Sequence, residues 1–232
     1  MRYFYSNQID GKTIYFSPEE CQHLLKSMRV KVGDAITVLN GKGTIYDGIV
    51  TVVTKRSVEA QIQSERSVNG DQYQLTIAIA PTKNSNRFET FVEKATELGI
   101  HEIVPLISAR SEKVSVKFDR IIRIAISAIK QSGNAYLPTI GEAMRLRDLM
   151  NLEKKFDQKF IAHCYRDNLP HLHECIREGS QDLVIIGPEG DFTEDEILFA
   201  SSRGFKEISL GKRRLRTETA GIYVSAMYSL LN

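Results

Sequence analysis

From Leu75 onward, short apolar runs alternate with stretches of helical period, and this rhythm constrains the fold more than any other feature. Leu75–Ala80, Ile103–Ile107, Lys159–His163, Leu183–Gly187 and Glu207–Leu210 read as strands. Between them, Asn86–Leu98 places Phe88, Phe91, Val92, Ala95 and Leu98 on one helical face, with Gly99 as the stop. A second helix spans about Phe118–Gln131 and ends at Ser132-Gly133-Asn134. Thr193 caps a third, running through Ile197, Leu198 and Ala200, with Glu196 in capping-box position. The terminal helix sets Ala220, Tyr223, Val224, Met227 and Leu230 on its apolar side. Near-continuous apolar strands in β-then-α order predict an α/β fold, a mostly parallel sheet with helices on both faces. Pro105 puts its strand near an edge or a bulge.

The chain before Leu75 has a different texture. Arg2–Tyr5 reads as an edge strand, and Ser17-Pro18-Glu19-Glu20 as a helix start with a cap, a first-turn proline and a box-closing glutamate. Ala35–Leu39 alternates like a half-buried strand, Asn40-Gly41 signals a hairpin, and Thr44–Val53 returns from it. Val58–Ile62 completes a small β-barrel unit with one helix. The polar stretch Ser64–Gln74 reads as inter-domain chain. The expected domains are residues 1–66, a linker 67–74, and 75–232.

Composition excludes several classes. With 42% hydrophobic and 26% charged residues, the chain is that of a globular protein. No apolar run approaches the roughly 18 residues that span a membrane. Met1-Arg-Tyr-Phe-Tyr-Ser-Asn lacks the apolar core of a secretory signal, and three scattered cysteines suit no disulfide framework, so the expected compartment is the cytoplasm. The net charge of +2 is uninformative, but basic residues bunch at Arg29/Lys31, Lys83/Arg87, Arg110/Lys113 and Lys212/Arg213/Arg214/Arg216. Any one cluster reads as solvated surface; together they favour a polyanionic partner.

Two segments carry the chemistry. Gly187-Pro-Glu-Gly190 follows a strand, as glycine-rich turns before helices do. It lacks the Lys-Ser/Thr of a phosphate loop, and Glu189 and Asp191 oppose a phosphate. A cationic or neutral cofactor such as S-adenosylmethionine suits those carboxylates better. In Gly211-Lys-Arg-Arg-Leu-Arg-Thr-Glu-Thr-Ala220, Thr217 or Thr219 would cap the last helix. The four basic residues upstream oppose the helix dipole unless an anion is bound. His163, Cys164, His171, His173 and Cys175 match no recurrent zinc spacing, and no metal is assigned. There is no Gly-x-Ser-x-Gly hydrolase elbow.

Ile186-Gly-Pro-Glu-Gly190 followed by Leu210-Gly-x-x-x-Leu215-Arg-Thr-Glu-Thr-Ala220 closely resembles the RsmE family of SPOUT-class methyltransferases, which modify N3 of a uridine in 16S ribosomal RNA. His23–Arg29 with Val32-Gly-Asp34 resembles the family's PUA-like RNA-binding barrel. Glu93–Gly99, Pro105, Arg110-Ser111, Gln131-Ser132 and Leu137-Pro138 resemble its middle motifs. Three positions depart from the pattern: Asp191 where the family usually has glycine, Arg214 where an apolar residue is usual, and Gly133-Asn134 where a basic residue commonly follows Gln-Ser.

The resemblance implies a C-terminal trefoil knot, a homodimer acting on the small ribosomal subunit, and S-adenosylmethionine held by His163, Ile186, Gly187, Pro188, Glu189, Gly190, Leu210, Gly211, Leu215, Thr217, Thr219 and Ala220. The N3 proton must be removed before methylation. Arg216 is the candidate to stabilise the resulting anion, and Glu218 or Glu189 the candidate to accept the proton. Arg2, Arg29, Lys83, Arg87 and Arg110 are candidate RNA phosphate contacts. Two rivals remain at this stage: a catalytically weak RNA-binding or assembly protein of the same fold, and a methyltransferase with another RNA target.

Overall fold

The structure, a computed structural model, describes residues 2–112, 115–152 and 154–231; Lys113 of the third basic cluster lies outside them. The chain divides into two units. Residues 1–70 and 126–137 form the first, residues 71–125 and 138–232 the second. Among the described residues no helix is long and apolar enough to cross a membrane.

The first unit is a six-stranded sheet built from β1 (Tyr3–Tyr5), β2 (Gln8–Asp10), β3 (Thr13–Tyr15), β4 (Ala35–Leu39), β5 (Thr44–Val53) and β6 (Val58–Ser67), with the short helix α1 (Pro18–Gln22) after β3. The order β1-β4-β5-β6-β3-β2 leaves β1 at an edge, as expected. Register shifts on β5 between Asp47 and Gly48 and between Val50 and Val52 help bend the sheet, as bulges do. The buried Ser6 hydroxyl donates to the carbonyl of Tyr15, linking the chain between β1 and β2 to β3.

Three expectations change here. β4 does not alternate: Ile36 to Leu39 are all buried. Ile36 and Val38 face the cluster of Phe4, Ile14, Leu24 and Val50, while Leu39 packs on Ile129 and Ala135. Both faces of the strand are therefore covered. The polar residues Ser64–Ser67 are strand, because they pair with Asp47–Thr44 on the exposed end of the hairpin, where a ladder needs no apolar side chains. Ser17 does cap α1, accepting from Glu20 N–H at 3.2 Å. Glu20 does not complete a box, because its carboxylate accepts from Tyr5 N–H at 3.2 Å and from Lys130 Nζ at 2.7 Å. The helix then widens into a π-helical turn over His23–Met28 and stops at Arg29, whose φ of 55° is left-handed.

The second unit is the parallel sheet. Its elements are β7 (Gln74–Ile79), α2 (Ser85–Glu97), β8 (Glu102–Ile107), α3 (Phe118–Ser132), β9 (Thr139–Ile140), β10 (Met144–Arg145), α4 (Leu146–Met150), β11 (Gln158–Ala162), β12 (Gln181–Ile186), α5 (Glu194–Ser202), β13 (Lys206–Ile208) and α6 (Thr217–Ser229). The last turns of α3 belong to the first unit. The strand order is β10-β8-β7-β12-β11-β13, with β9 also on β8, and every pair is parallel. Pro105 is accommodated because β9 pairs with Glu102–Ile103 and β10 with Leu106–Ile107, leaving it in the interval.

Ala78, Val104, Leu183 and Ile185 pack under α4 and α5 with Phe192, Ile197 and Phe205. Alternate residues such as Ile77, Ile79 and Ile103 are equally buried, with Ile79 lying beside Gly221 of α6 and Phe91 of α2. Burial on both faces is why these strands read as unbroken apolar runs. The apolar face of α6 rotates relative to the expected pattern. On α6 the buried residues are Thr217, Ala220, Gly221, Val224, Ser225 and Tyr228, while Tyr223 and Leu230 are exposed; on α5, Leu198 is exposed. Small residues at 221 and 225 let α6 lie close on the sheet, which hydrophobicity alone does not show.

Candidate active site

β12 sits between β7 and β11, so the chain reverses direction across the sheet there, and ligands bind beyond the carboxyl ends of strands at such points. Ala80 N–H donates to Ile186 O at 3.1 Å, ending the β7–β12 ladder. Gly187 and Pro188 follow, buried, and Glu189 and Gly190 turn out to solvent. Gly187 is required by close packing: a Cβ there would lie 3.0 Å from the ring of fully buried Phe192.

The departure at Asp191 has a physical account. Asp191 N–H donates to Pro188 O at 2.9 Å, and its φ is 60°, a left-handed position that glycine fills freely and aspartate tolerates. Its carboxylate then accepts from Cys164 N–H and Phe192 N–H, both at 2.8 Å, which ties the turn to the end of β11. That charge faces protein donors. Arg110 closes the turn from the far side, donating from Nη1 to Gly190 O at 2.8 Å and to Phe192 O at 3.3 Å. Glu196 of the α5 capping box accepts from Ala109 N–H at 2.7 Å, fixing the segment that carries Arg110.

The second loop leaves β13 at Ser209. Its backbone pairs with Pro170 and Leu172, and its hydroxyl accepts from Gly211 N–H at 3.0 Å, with Gly211 at φ 115°. Lys212, Arg213, Arg214 and Arg216 are exposed, and Leu210 and Leu215 half-buried. Neither threonine caps α6. Arg216 takes the cap position with extended backbone and no side-chain cap bond. Buried Thr217 donates instead to Gly187 O at 3.1 Å. That bond fastens the two loops together. Thr219 is exposed and Ala220 buried.

Glu218, next in sequence, is drawn inward. Its side chain is 12% exposed, with Oε1 3.7 Å from Arg87 Nε and Oε2 buried with no hydrogen-bond partner among the described residues. A desolvated carboxylate oxygen without a donor is costly, on the order of 1–3 kcal/mol or more for a charged group. The site is thus built to receive a donor there.

His163, at the end of β11, has both ring nitrogens engaged. Nδ1 accepts from Tyr165 N–H at 3.2 Å, which leaves Nε2 as the donor to Glu207 at 3.0 Å. Glu207 also accepts from Arg166 at 2.8 Å and Ser201 at 3.0 Å. His163 therefore braces the strand ends through its ring. Burial, and then Asp191, push the Cys164 thiol up, with Arg214 opposing them, so it is poorly suited to act as a nucleophile.

The basic residues scatter more than their clustering suggested. Arg87 faces Glu218 and Arg110 the glycine-rich turn. Lys83 donates its backbone N–H to Glu189 at 3.3 Å and pairs with Glu112 at 3.0 Å. Arg2 and Arg29 belong to the first unit, where Arg2 contacts Met28 Sδ at 3.2 Å and helps line a cavity of about 400 Å³ with Phe4, Val30 and Thr37. Sequence reasoning missed the Arg87–Glu218, Arg110–Gly190 and His163–Glu207 pairs, which lie far apart in the chain and leave no local signal.

Comparison with known proteins agrees with this geometry. The family profile described as RNA methyltransferase domain matches residues 69–229, and that of the RNA methyltransferase PUA domain matches residues 16–63. Ribosomal RNA small subunit methyltransferase E of Aquifex aeolicus is 30% identical over 100% of both chains. A probable rRNA-methyltransferase from Porphyromonas gingivalis superposes with a TM-score of 0.90 at 33% identity, covering 97% of this chain and 95% of that one. Ribosomal RNA small subunit methyltransferase E from Neisseria gonorrhoeae, solved with S-adenosyl methionine bound, superposes at 0.87 with 29% identity over 97% and 95%. A PUA-type unit followed by a parallel-sheet unit with paired loops at β12 and β13 makes this chain a member of the ribosomal RNA small subunit methyltransferase E family of RNA methyltransferases.

Proposed function

We propose that the chain transfers a methyl group from S-adenosylmethionine to N3 of a uridine in 16S ribosomal RNA. The observation that carries this is the joining of the two loops by Thr217 and Gly187, with the Arg216 guanidinium and the unpartnered Glu218 oxygen on the adjacent residues. The residues present fit the cofactor: Glu189 suits an amino group or ribose hydroxyls, where a polyphosphate would meet repulsion. Ile186–Gly190, Leu210–Gly211 and Leu215–Ala220 are the segments that would hold it, with His163 bracing the neighbouring strand. Bound S-adenosylmethionine supplies an electrophilic methyl on a positive sulfur, which keeps the electron pair of the broken bond and leaves as a neutral thioether.

Within the chain, Glu218 Oε2 accepts the N3 proton, and Arg216 offers donors to the oxygens that share the resulting charge. Arg2 and Arg29 carry the phosphate-contact reading; the charged groups of Lys83, Arg87 and Arg110 already have protein partners. On the same reading residues 209–216 belong to a deep trefoil knot, supported by α6 packing on β7 and β12 after the chain leaves β13, which pairs with β11. Exposed Tyr223 and Leu230 on α6 support a homodimer, and a ribosomal RNA substrate supports the cytoplasm.

The test is methyl transfer from labelled S-adenosylmethionine into small-subunit RNA lacking the modification, read by nucleoside mass spectrometry. N3-methyluridine is expected. Label in another nucleoside would assign another target, and no label would leave an RNA-binding protein. Arg216→Ala should lower kcat by about a hundredfold with little change in cofactor Kd; near-normal turnover would remove Arg216 from the mechanism.

A further inference from the structure

By sequence alone Arg87 is one of several candidate RNA phosphate contacts. In the structure it starts from the first turn of α2, where its N–H donates to Asn84 O at 3.1 Å, and points its Nε toward Glu218 Oε1, 3.7 Å away. The carboxylate is mostly buried while Arg87 is 39% exposed, so the arginine is the solvent-side wall of the pair. The two oxygens of Glu218 are not equivalent. Oε1 faces the guanidinium, and Oε2 is buried with no partner among the described residues.

We infer that Arg87 is a positioning residue for methyl transfer: it holds Glu218 by one oxygen and leaves the other free to take the proton from the RNA base. This rests on the reading of Glu218 as proton acceptor. At 3.7 Å the two form an ion pair without a hydrogen bond, and the attraction draws Oε1 toward the guanidinium, so that Oε2 keeps the buried direction. A free carboxylate on a buried helix turn would otherwise rotate or draw in water. Neither α2 nor α6 shows this pairing in its own sequence, because the two residues are brought together only by the packing of the two helices.

A phosphate contact and a positioning residue give different signatures. Four full-length proteins are compared: Arg87→Ala, Arg87→Lys, Glu218→Gln and the Arg87→Ala/Glu218→Gln double variant. Each is assayed for single-turnover methyl transfer, cofactor Kd and the salt dependence of RNA binding. Arg87→Ala is expected to slow transfer by about tenfold, in the range of a misplaced general base, with the salt slope of RNA binding unchanged. Arg87→Lys, which keeps the charge, recovers most of the rate. In the Glu218→Gln background, removing Arg87 adds less than about a twofold loss, because coupled residues are non-additive. Full additivity, or a salt slope reduced by about 0.7 to 0.9, the contribution of one phosphate contact, would overturn the inference and return Arg87 to the RNA surface. Near wild-type transfer by Glu218→Gln would discard the proton-acceptor reading itself. Retained cofactor affinity in Arg87→Ala shows that the loops still stand; if that variant does not fold, Arg87→Gln, which also removes the charge, is measured in its place by the same criteria.

Discussion

Asp182 and Tyr228 are both fully buried, and the Tyr228 hydroxyl donates to Asp182 Oδ2 at 2.6 Å. Burial pushes the Asp182 carboxyl up, partly offset by the hydrogen bond from Tyr228; burial and then Asp182 push the tyrosine hydroxyl far up, so it remains a donor. A raised carboxyl pKa means the folded state holds its proton more tightly than the unfolded chain. Stability therefore falls as pH rises from the unfolded value near 3.8 toward the raised folded value, and then levels off. Asp182→Asn should remove this component: its stability relative to wild type should rise across that window and plateau above it, as read by urea unfolding at a series of pH values. A flat difference would refute the linkage. Tyr228→Phe leaves the carboxylate without its donor and should cost about 2 kcal/mol at neutral pH.

The element that most limits change is α6. Gly221 meets α2 and β7 so closely that a Cβ would lie 2.5 Å from two carbons of the Phe91 ring and 3.0 Å from Ile79 Cδ1. Alanine is the better helix former by about 1 kcal/mol. Phe91 is fully buried, however, and cannot swing away, so overpacking of roughly 1–3 kcal/mol wins. Gly221→Ala should lower the urea midpoint, and Phe91→Leu in the same chain should restore part of it; a stabilised Gly221→Ala protein would show that the helices separate freely. The cap of α5 is a smaller device, and Thr193→Ala should cost about 1 kcal/mol, with a secondary loss of cofactor affinity because Glu196 of the same box holds the segment that carries Arg110.

At the scale of the whole molecule, the first unit is not a simple N-terminal fragment. Leu39 and Ile45 pack on Ile129 and Ala135, and Lys130 pairs with Glu20, so the unit is completed by residues from 126 to 137. A fragment ending at Gly70 should expose that apolar cluster and show little amide protection in hydrogen exchange; a cooperatively folded fragment would contradict the division. Cofactor should stabilise the intact chain by mass action, about 2.7 kcal/mol at a hundredfold excess over Kd, visible as a raised Tm that Asp191→Ala diminishes by freeing the turn from Cys164.

What was legible in the sequence follows from short-range physics. β1, β4 to β8, β11 to β13, α2, α3, the Thr193–Glu196 box and the Ser17 cap were readable because side-chain period and capping are decided within a few residues. By contrast β2, β3, β9 and β10, of two or three residues each, are too short to show a period. The paired loops were readable as motifs. Tertiary structure alone decided the insertion of β12 between β7 and β11, the strand at Ser64–Ser67, and the partners Thr217–Gly187, Arg110–Gly190, Glu20–Lys130 and Arg87–Glu218. Those partners are 30 to 131 residues apart, and a hydrogen bond across such a distance is specified by strand order and helix packing, which no local pattern encodes.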